Sequence, residues 1–406
     1  MTELPLRWED DADIELDHVL PLRGEDDPGI ELDYVLPLRW EDDSGIEELT
    51  SYLRRLARHA RIIVVDGSGP GLFAGHARRW RGLVTHVPPD ASLRHANGKV
   101  AGVTTGLRLA CSEHVVIADD DVRHDVRTLS AIRRLLARAD LVRPQNYFRP
   151  LPWHARWDTA RTLLNRCFGA DYPGTFGIRR SFFERMGGYD GDVLFENLEL
   201  IRTVRAHGGV ECRPAGLYVR RLPPDASRFW SQRVRQAYDD LAQPARLAFF
   251  LAVLPTVVPA VAAGLLRRRP GLVAAGAGAA TGVAIGLAEA GRRRAGGRRV
   301  FPWSASLFAP LWVLERATCS WLAVAAVLRG GMPYAGRRLR LAAHSTRRLR
   351  RRRSGEPDGR QSGGSGRVPA RKPVALCEPS QNGLDEERPQ RQSATVDLPG
   401  AIVTPS

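Results

Sequence analysis

Three consecutive carboxylates, Asp119, Asp120 and Asp121, follow the apolar run Val115-Val116-Ile117-Ala118. A buried strand that ends in acids delivers negative charge to the carboxyl edge of a sheet, where open α/β sheets bind their ligands. Carboxylates two residues apart can hold a hard divalent cation, and the cation can hold a diphosphate. The triplet alone also reads as an acidic turn, since Asp is common in turns. A second apolar run, from Ile62 to Val65, ends in Asp66 and passes into Gly67-Ser68-Gly69-Pro70. Two acids are thereby placed on one sheet edge. Lys99 is one of two lysines in the chain, the other being Lys372, and it sits at the start of an expected helix.

The elements that must carry these residues alternate. Residues 34–38 read as a strand. Residues 44–59 read as an amphipathic helix, with Ser44 and Glu47 spaced as a capping box. The segments 61–66, 82–87 and 114–118 read as further strands, and 97–110 and 125–139 as helices. Strands alternating with helices imply an α/β fold with a parallel sheet and right-handed crossovers. Upstream, a motif beginning Leu-Pro-Leu-Arg starts at Leu4, Leu20 and Leu36 with a period of 16. Only the third copy runs on into a helix, so residues 1–33 read as an acidic extension produced by duplication.

Charge is unevenly spread. Residues 1–48 hold 17 acids and 3 arginines, whereas residues 329–353 hold 10 arginines and no acid, within a net charge of +15. The basic excess adjoins apolar segments, which points to a membrane surface as partner and away from nucleic acid. Residues 247–266 contain no charge, and 271–290 and 301–328 are nearly as apolar; lengths near 20 suit membrane spans. The positive-inside tendency favours an even number of crossings, with the third stretch, interrupted by Glu315-Arg316, lying in the interface. The expected organisation is an extension (1–33), a catalytic domain (34–244), two to three membrane helices (245–330) and an Arg-rich segment passing into a disordered tail (331–406). The acidic N-terminus lacks the pattern of a signal peptide. The expected location is therefore the cell membrane, multi-pass, with the catalytic domain cytoplasmic. The five cysteines show no CxxC spacing and indicate no zinc site.

Taken in order, the motifs resemble the family 2 glycosyltransferases, nucleotide-sugar enzymes of the GT-A fold. The resemblance runs from about Tyr34 to Pro244 and into the membrane segments. It is carried by Val35-Leu-Pro-Leu-Arg39, Val64-Val-Asp66-Gly-Ser68, Asn97-Gly-Lys99, Asp119-Asp120-Asp121, the Gly187-Gly188-Tyr189-Asp190 turn with Phe195-Glu-Asn-Leu-Glu199, and Gln232-Arg-Val-Arg235. It implies a Rossmann-like, mixed and mainly parallel sheet with helices on both faces, followed by C-terminal membrane helices. It also implies Mg²⁺ or Mn²⁺ held by Asp119 and Asp121. The donor contacts would be Pro37, Arg39, Glu41, Asp66, Lys99, Asp119, Asp120, Gln232, Arg233 and Arg235, with Asp66 against the base.

Two departures from the family pattern matter. The position of the family's catalytic Asp holds Asn197, which cannot accept a proton at neutral pH. Glu196 or Glu199 would then serve as base, with Asp192 a further possibility, and Glu196 is favoured. Gln236 replaces the aromatic that follows Gln-x-x-Arg, which favours a single transfer to a membrane lipid or other glycan acceptor over polymer synthesis. The expected reaction is an inverting transfer of a sugar, commonly a hexose, from a nucleotide-diphosphate donor. The alternatives are a nucleotidyltransferase that makes a nucleotide sugar and a catalytically degenerate membrane protein that binds one.

Overall fold

The computed structural model describes residues 31–354 apart from 170, 172, 173 and 335. Most of the acidic extension and the tail from 355 onward lie outside the described residues. Strands Asp33–Leu38 (β1), Arg61–Asp66 (β2) and Thr85–Val87 (β3) alternate with helices Ile46–Leu56 (α1), Pro70–Arg79 (α2) and Gly98–Leu109 (α3), and α3 leads into His114–Ala118 (β4). The chain continues through Val122–Arg123 (β5), Val126–Leu136 (α4), Leu141–Val142 (β6), Gln145–Phe148 (β7), Trp153–Phe168 (α5), Thr175–Arg179 (β8), Arg180–Arg185 (α6), Glu196–Ala206 (α7), Glu211–Cys212 (β9) and Tyr218–Arg221 (β10).

The main sheet has seven strands in the order β3-β2-β1-β4-β8-β6-β9. Its first four are parallel, β8 is antiparallel to both β4 and β6, and β9 is parallel to β6. The expected mixed, mainly parallel sheet is present. A three-stranded sheet, β5-β10-β7, stands beside it.

Both faces of the main sheet are covered because its central strands are apolar through their middle positions while side chains alternate in direction. Tyr34, Leu36, Ile62, Val64 and Val116 pack with α1 and α4 residues such as Leu49, Leu53, Leu129 and Ile132. Val35, Ile63, Val65, Val115 and Ile117 pack with Val100, Val103 and Leu107 of α3 and with Leu200 and Val204 of α7. Helix α3 lies close to β1 because Gly102 and Gly106 face it; a Cβ at Gly106 would stand 2.3 Å from Val35 Cγ1.

After Ala226–Ser231 (α8) and Arg233–Tyr238 (α9) come Pro244–Leu266 (α10), Pro270–Arg293 (α11), Trp303–Ser306 (α12) and Ala309–Leu328 (α13). Three helical stretches, Pro244–Leu266, Pro270–Arg299 and Trp303–Leu328, are long and apolar enough to cross a membrane. The first two are almost wholly bare, and the third is one-third buried. Helix α11 packs on α5, and α13 packs on α5, α9 and α10. The chain closes with the hairpin Met332–Tyr334 (β11) and Arg337–Leu339 (β12), then Thr346–Arg353 (α14). The sequence gives this Arg-rich stretch as the start of a tail. Instead it returns to the α/β unit: Leu194 and Phe195 donate to the carbonyls of Leu341 and Ala342 at 3.0 Å, and α14 packs on α7.

Candidate active site

A tight turn follows β4. The Asp119 amide donates to Gly174 O at 2.9 Å and the Val122 amide to Asp119 O at 3.1 Å. This turn sets the three aspartates at the carboxyl edge of the parallel strands. Arg221, the last residue of β10, reaches both outer acids: its Nε lies 2.8 Å from Asp121 Oδ2, and its Nη2 3.6 Å from Asp119 Oδ2. The two carboxylates therefore face one point. Asp120 turns aside to accept from Trp40 Nε1 at 2.5 Å.

Lys99 joins this cluster to the start of α7. Its Nζ is 2.5 Å from Asp119 Oδ1 and 2.9 Å from Glu196 Oε1, and it donates to Asn197 Oδ1 at 3.2 Å. Asn97 caps α3 by accepting from the Lys99 amide, and its Nδ2 donates to Glu196 Oε2 at 3.0 Å. Tyr334 of the returning hairpin donates to Asn97 Oδ1 at 3.1 Å. One short helix start thus fixes both a cation and a carboxylate, because the capping side chain has donors left for a neighbour.

Burial and charge oppose each other here. Burial disfavours the Lys99 ammonium, but Asp119 and Glu196 outweigh it and raise its pKa. Burial likewise disfavours ionised Glu196, yet Lys99 holds its carboxyl below the usual range. At Asp121 burial wins: assisted by Asp119 and Asp120, it raises the pKa against the pull of Arg221.

A cavity of about 900 Å³ opens beside the cluster. Arg39, Glu41, Asp120, Asp121, Glu196, Asn197, Gln232, Arg233 and Arg235, all expected site residues, line it. Arg235 sits 5.0 Å from the Tyr334 ring centroid, and its Nε is buried without a hydrogen-bond acceptor. Four expectations need correction. Asp66 is 1% exposed and turned inward, where His76, His86 and the Ser68 amide hold it, so it does not reach the cavity wall. Pro37 packs over Gly102 of α3. Arg233 is buried in ion pairs with Asp158 at 3.2 Å and Glu315 at 3.7 Å, which leaves it a structural post rather than a free phosphate ligand. Glu199 has no solvent exposure, and both its oxygens accept from His344, at the backbone amide and at Nδ1. That position excludes it from taking a substrate proton.

Two residues of this region went unnoticed in the sequence. Arg221 lies 100 positions from its partner Asp121 on a different sheet. Its signal is slight: it is one of two arginines ending a short strand before Pro223-Pro224. Asp239 also lines the cavity, and burial pushes its carboxyl up to about 6.

The acids at 119 and 121 fit a hard, oxygen-seeking dication. They converge, and Asp121 Oδ1 is buried with no hydrogen-bond donor, so one oxygen stands ready for a ligand. Arg221 and, at Asp119, Lys99 are the cations already there, and a metal ion would have to share or displace them.

No protein-family model matches the chain, and no curated protein matches it. Among solved structures, it is similar to a mannosyltransferase of Pyrobaculum calidifontis in complex with GDP-Man and Mn²⁺, with 19% identity and a TM-score of 0.48, covering 73% of this chain and 88% of that one. TarS of S. aureus is similar at 14% identity and a TM-score of 0.34, over 51% and 64% of the two chains. Glucosyl-3-phosphoglycerate synthase of Mycobacterium tuberculosis, in complex with phosphoglyceric acid, is similar at 14% identity and a TM-score of 0.34, over 48% and 74%.

Proposed function

We propose that the chain is an inverting glycosyltransferase that moves a sugar from a nucleotide-diphosphate donor to a hydroxyl of a lipid or other acceptor at a membrane face. The observation that supports this most is the convergence of Asp119, Asp121, Lys99 and Glu196 at the carboxyl edge of a parallel sheet, beside a cavity large enough for a nucleotide sugar. Mg²⁺ or Mn²⁺, held by Asp119 and Asp121, would neutralise charge on the diphosphate.

The chain's own residues would supply the remainder. Arg39 and Arg235 offer positive charge on the cavity wall to the phosphates. Lys99 keeps Glu196 ionised and oriented. The acceptor oxygen forms a bond to the anomeric carbon as the bond from that carbon to the diphosphate oxygen breaks, and the acceptor proton passes to Glu196. Attack from the side opposite the leaving group inverts the centre. The degenerate-binder reading draws on the same contacts: Glu196 is a weak base while Lys99 holds it, and Asn197 stands where the family has its acid.

Transfer and donor hydrolysis by the purified protein separate the two readings. With Mn²⁺ present, wild type should turn over and Asp121→Ala should lose on the order of 10²-fold or more of the rate. Undiminished turnover by Asp121→Ala would sink the metal assignment, and binding of nucleotide sugar without turnover by wild type would favour the degenerate reading.

The membrane would be met by a hairpin of α10 and α11. Its tip carries Arg267, Arg268 and Arg269, and its outer face exposes Phe249, Val258 and Leu265. The chain leaves the α/β unit at Pro244 and is back on it at Gly291, whose carbonyl accepts from Arg166 Nε at 3.3 Å. The third apolar helix would lie along the surface. Midway along it, Arg316 forms a two-pronged buried pair with Asp240 at 2.7 and 3.1 Å, while Leu311, Leu314 and Trp321 face outward.

A further inference from the structure

Away from the aspartate triplet, Asp66 of β2, His76 of α2 and His86 of β3 bring three ligand atoms within 4.8 Å of one another. His76 Nδ1 is 2.6 Å and His86 Nε2 3.0 Å from Asp66 Oδ2. The other nitrogen of His76, Nε2, is 2.8 Å from Asp43 Oδ1. Asp66 and His76 are each 1% exposed, and the His86 side chain is 6% exposed. Trp80 stacks on His76 at 4.8 Å and Phe73 on His86 at 4.4 Å, closing the cluster in aromatic surface.

The three groups converge without any cation among them. His76 presents Nδ1 to Asp66 and Nε2 to Asp43 at a nearly dry position. A single Asp66 oxygen also faces both rings. This is a donor set that a divalent ion could take up. His76 would then ligate through Nδ1 and donate Nε2–H to Asp43, and the two carboxylates would balance the ion's charge. A ligating imidazole backed by a carboxylate is the usual outer shell of a zinc histidine.

We propose that Asp66, His76 and His86 bind a zinc-like divalent cation, with Asp43 as the outer partner of His76. Two histidines and one carboxylate are a common zinc donor set that leaves one tetrahedral position for water. Ligand atoms about 2.1 Å from such an ion stand about 3.4 Å apart, so the carboxylate needs only a small rotation from its present contacts. The site is separate from Asp119 and Asp121. Its role is positional: Trp40 packs edge-on against His76 at 5.8 Å, its amide donates to Ser68 Oγ, and its indole holds Asp120. The ion would fix the corner of β2, α2 and β3 that supports this cavity wall.

The experiment measures metal content of the full chain, purified in detergent without added zinc, and repeats it after chelation and Co²⁺ loading. Wild type should carry about one zinc per chain and, with Co²⁺, show the visible bands of a tetrahedral nitrogen–oxygen site. The double variant His76→Gln, His86→Gln should lose both, and Asp121→Ala should keep both. Asp43 is an outer residue with a half-exposed side chain, so Asp43→Asn should fold and bind zinc about 10- to 100-fold more weakly. Equal metal in wild type and the double variant overturns the proposal. If the double variant fails to fold, wild type that takes up neither zinc nor tetrahedral Co²⁺ overturns it instead. Loss of catalysis in Asp121→Ala has no bearing on these readouts, so failure of this site and failure of the transferase reading remain distinguishable.

Discussion

At the scale of single residues, Asn197 and Glu196 carry the sharpest question about chemistry. Both touch Lys99, which keeps Glu196 charged and fills the Asn197 carbonyl. If Glu196 is the base, Glu196→Gln should cut transfer by roughly 10²- to 10⁴-fold, and Asn197→Asp should bring no gain. A strong gain in the initial rate with Asn197→Asp would move the base to that position. His124 offers a test in stability. It is buried against Thr175 and Thr128, and burial pushes its pKa down from 6.5 to about 3. A histidine held neutral stabilises the fold fully above its unfolded pKa, and the contribution fades as pH falls toward the folded value. Unfolding followed from pH 7 to 3 should show a loss of up to roughly 4 kcal/mol from this group. His124→Asn should flatten that limb, and an unchanged acid limb would rule the histidine out as its source.

At the scale of elements, the contact between α3 and β1 decides where Lys99 stands. Gly106→Ala would push a methyl into Val35 and should cost about 1–3 kcal/mol, read as a lower denaturation midpoint with an unchanged slope. A neutral effect would mean that α3 can ride outward without loss. These elements were legible in the sequence. Mostly apolar runs ending in Asp, separated by helices, allow little besides a parallel sheet with acids at one edge, although the expected Ser44–Glu47 capping box is absent, α1 starting after Gly45 with no side-chain cap. Partnerships across long separations were not legible. Arg221 meets Asp121 only because β10 pairs with β5, and nothing in the local pattern fixes that pairing. Asp66 was visible as a strand-end acid, but His76 and His86, which turn it inward, lie on other elements at no regular spacing. The Arg-rich composition of 329–353 read only as a basic segment beside the apolar helices and gave no sign of the hairpin, or of the Leu341 and Ala342 carbonyls after it that accept from Leu194 and Phe195.

At the scale of the whole molecule, that docking constrains topology. The chain lies on the α/β unit before α10 and again after α13, so its path through any bilayer must cross an even number of times. Cys111, exposed on the α/β unit, and a cysteine introduced by Ser354→Cys should react with a membrane-impermeant maleimide from the same side of sealed vesicles. Labelling from opposite sides would mean that the return of α14 onto α7 does not survive in the membrane. The same return has a consequence for how the protein is made. Tyr334, His344 and α14, which brace Asn97 and Glu199, leave the ribosome only after the apolar hairpin. Helix α7, which would carry the base, therefore stays unbraced through synthesis of the apolar helices, and the candidate site is completed last. A chain stalled or cleaved within the apolar region would lack the segments that complete the candidate site.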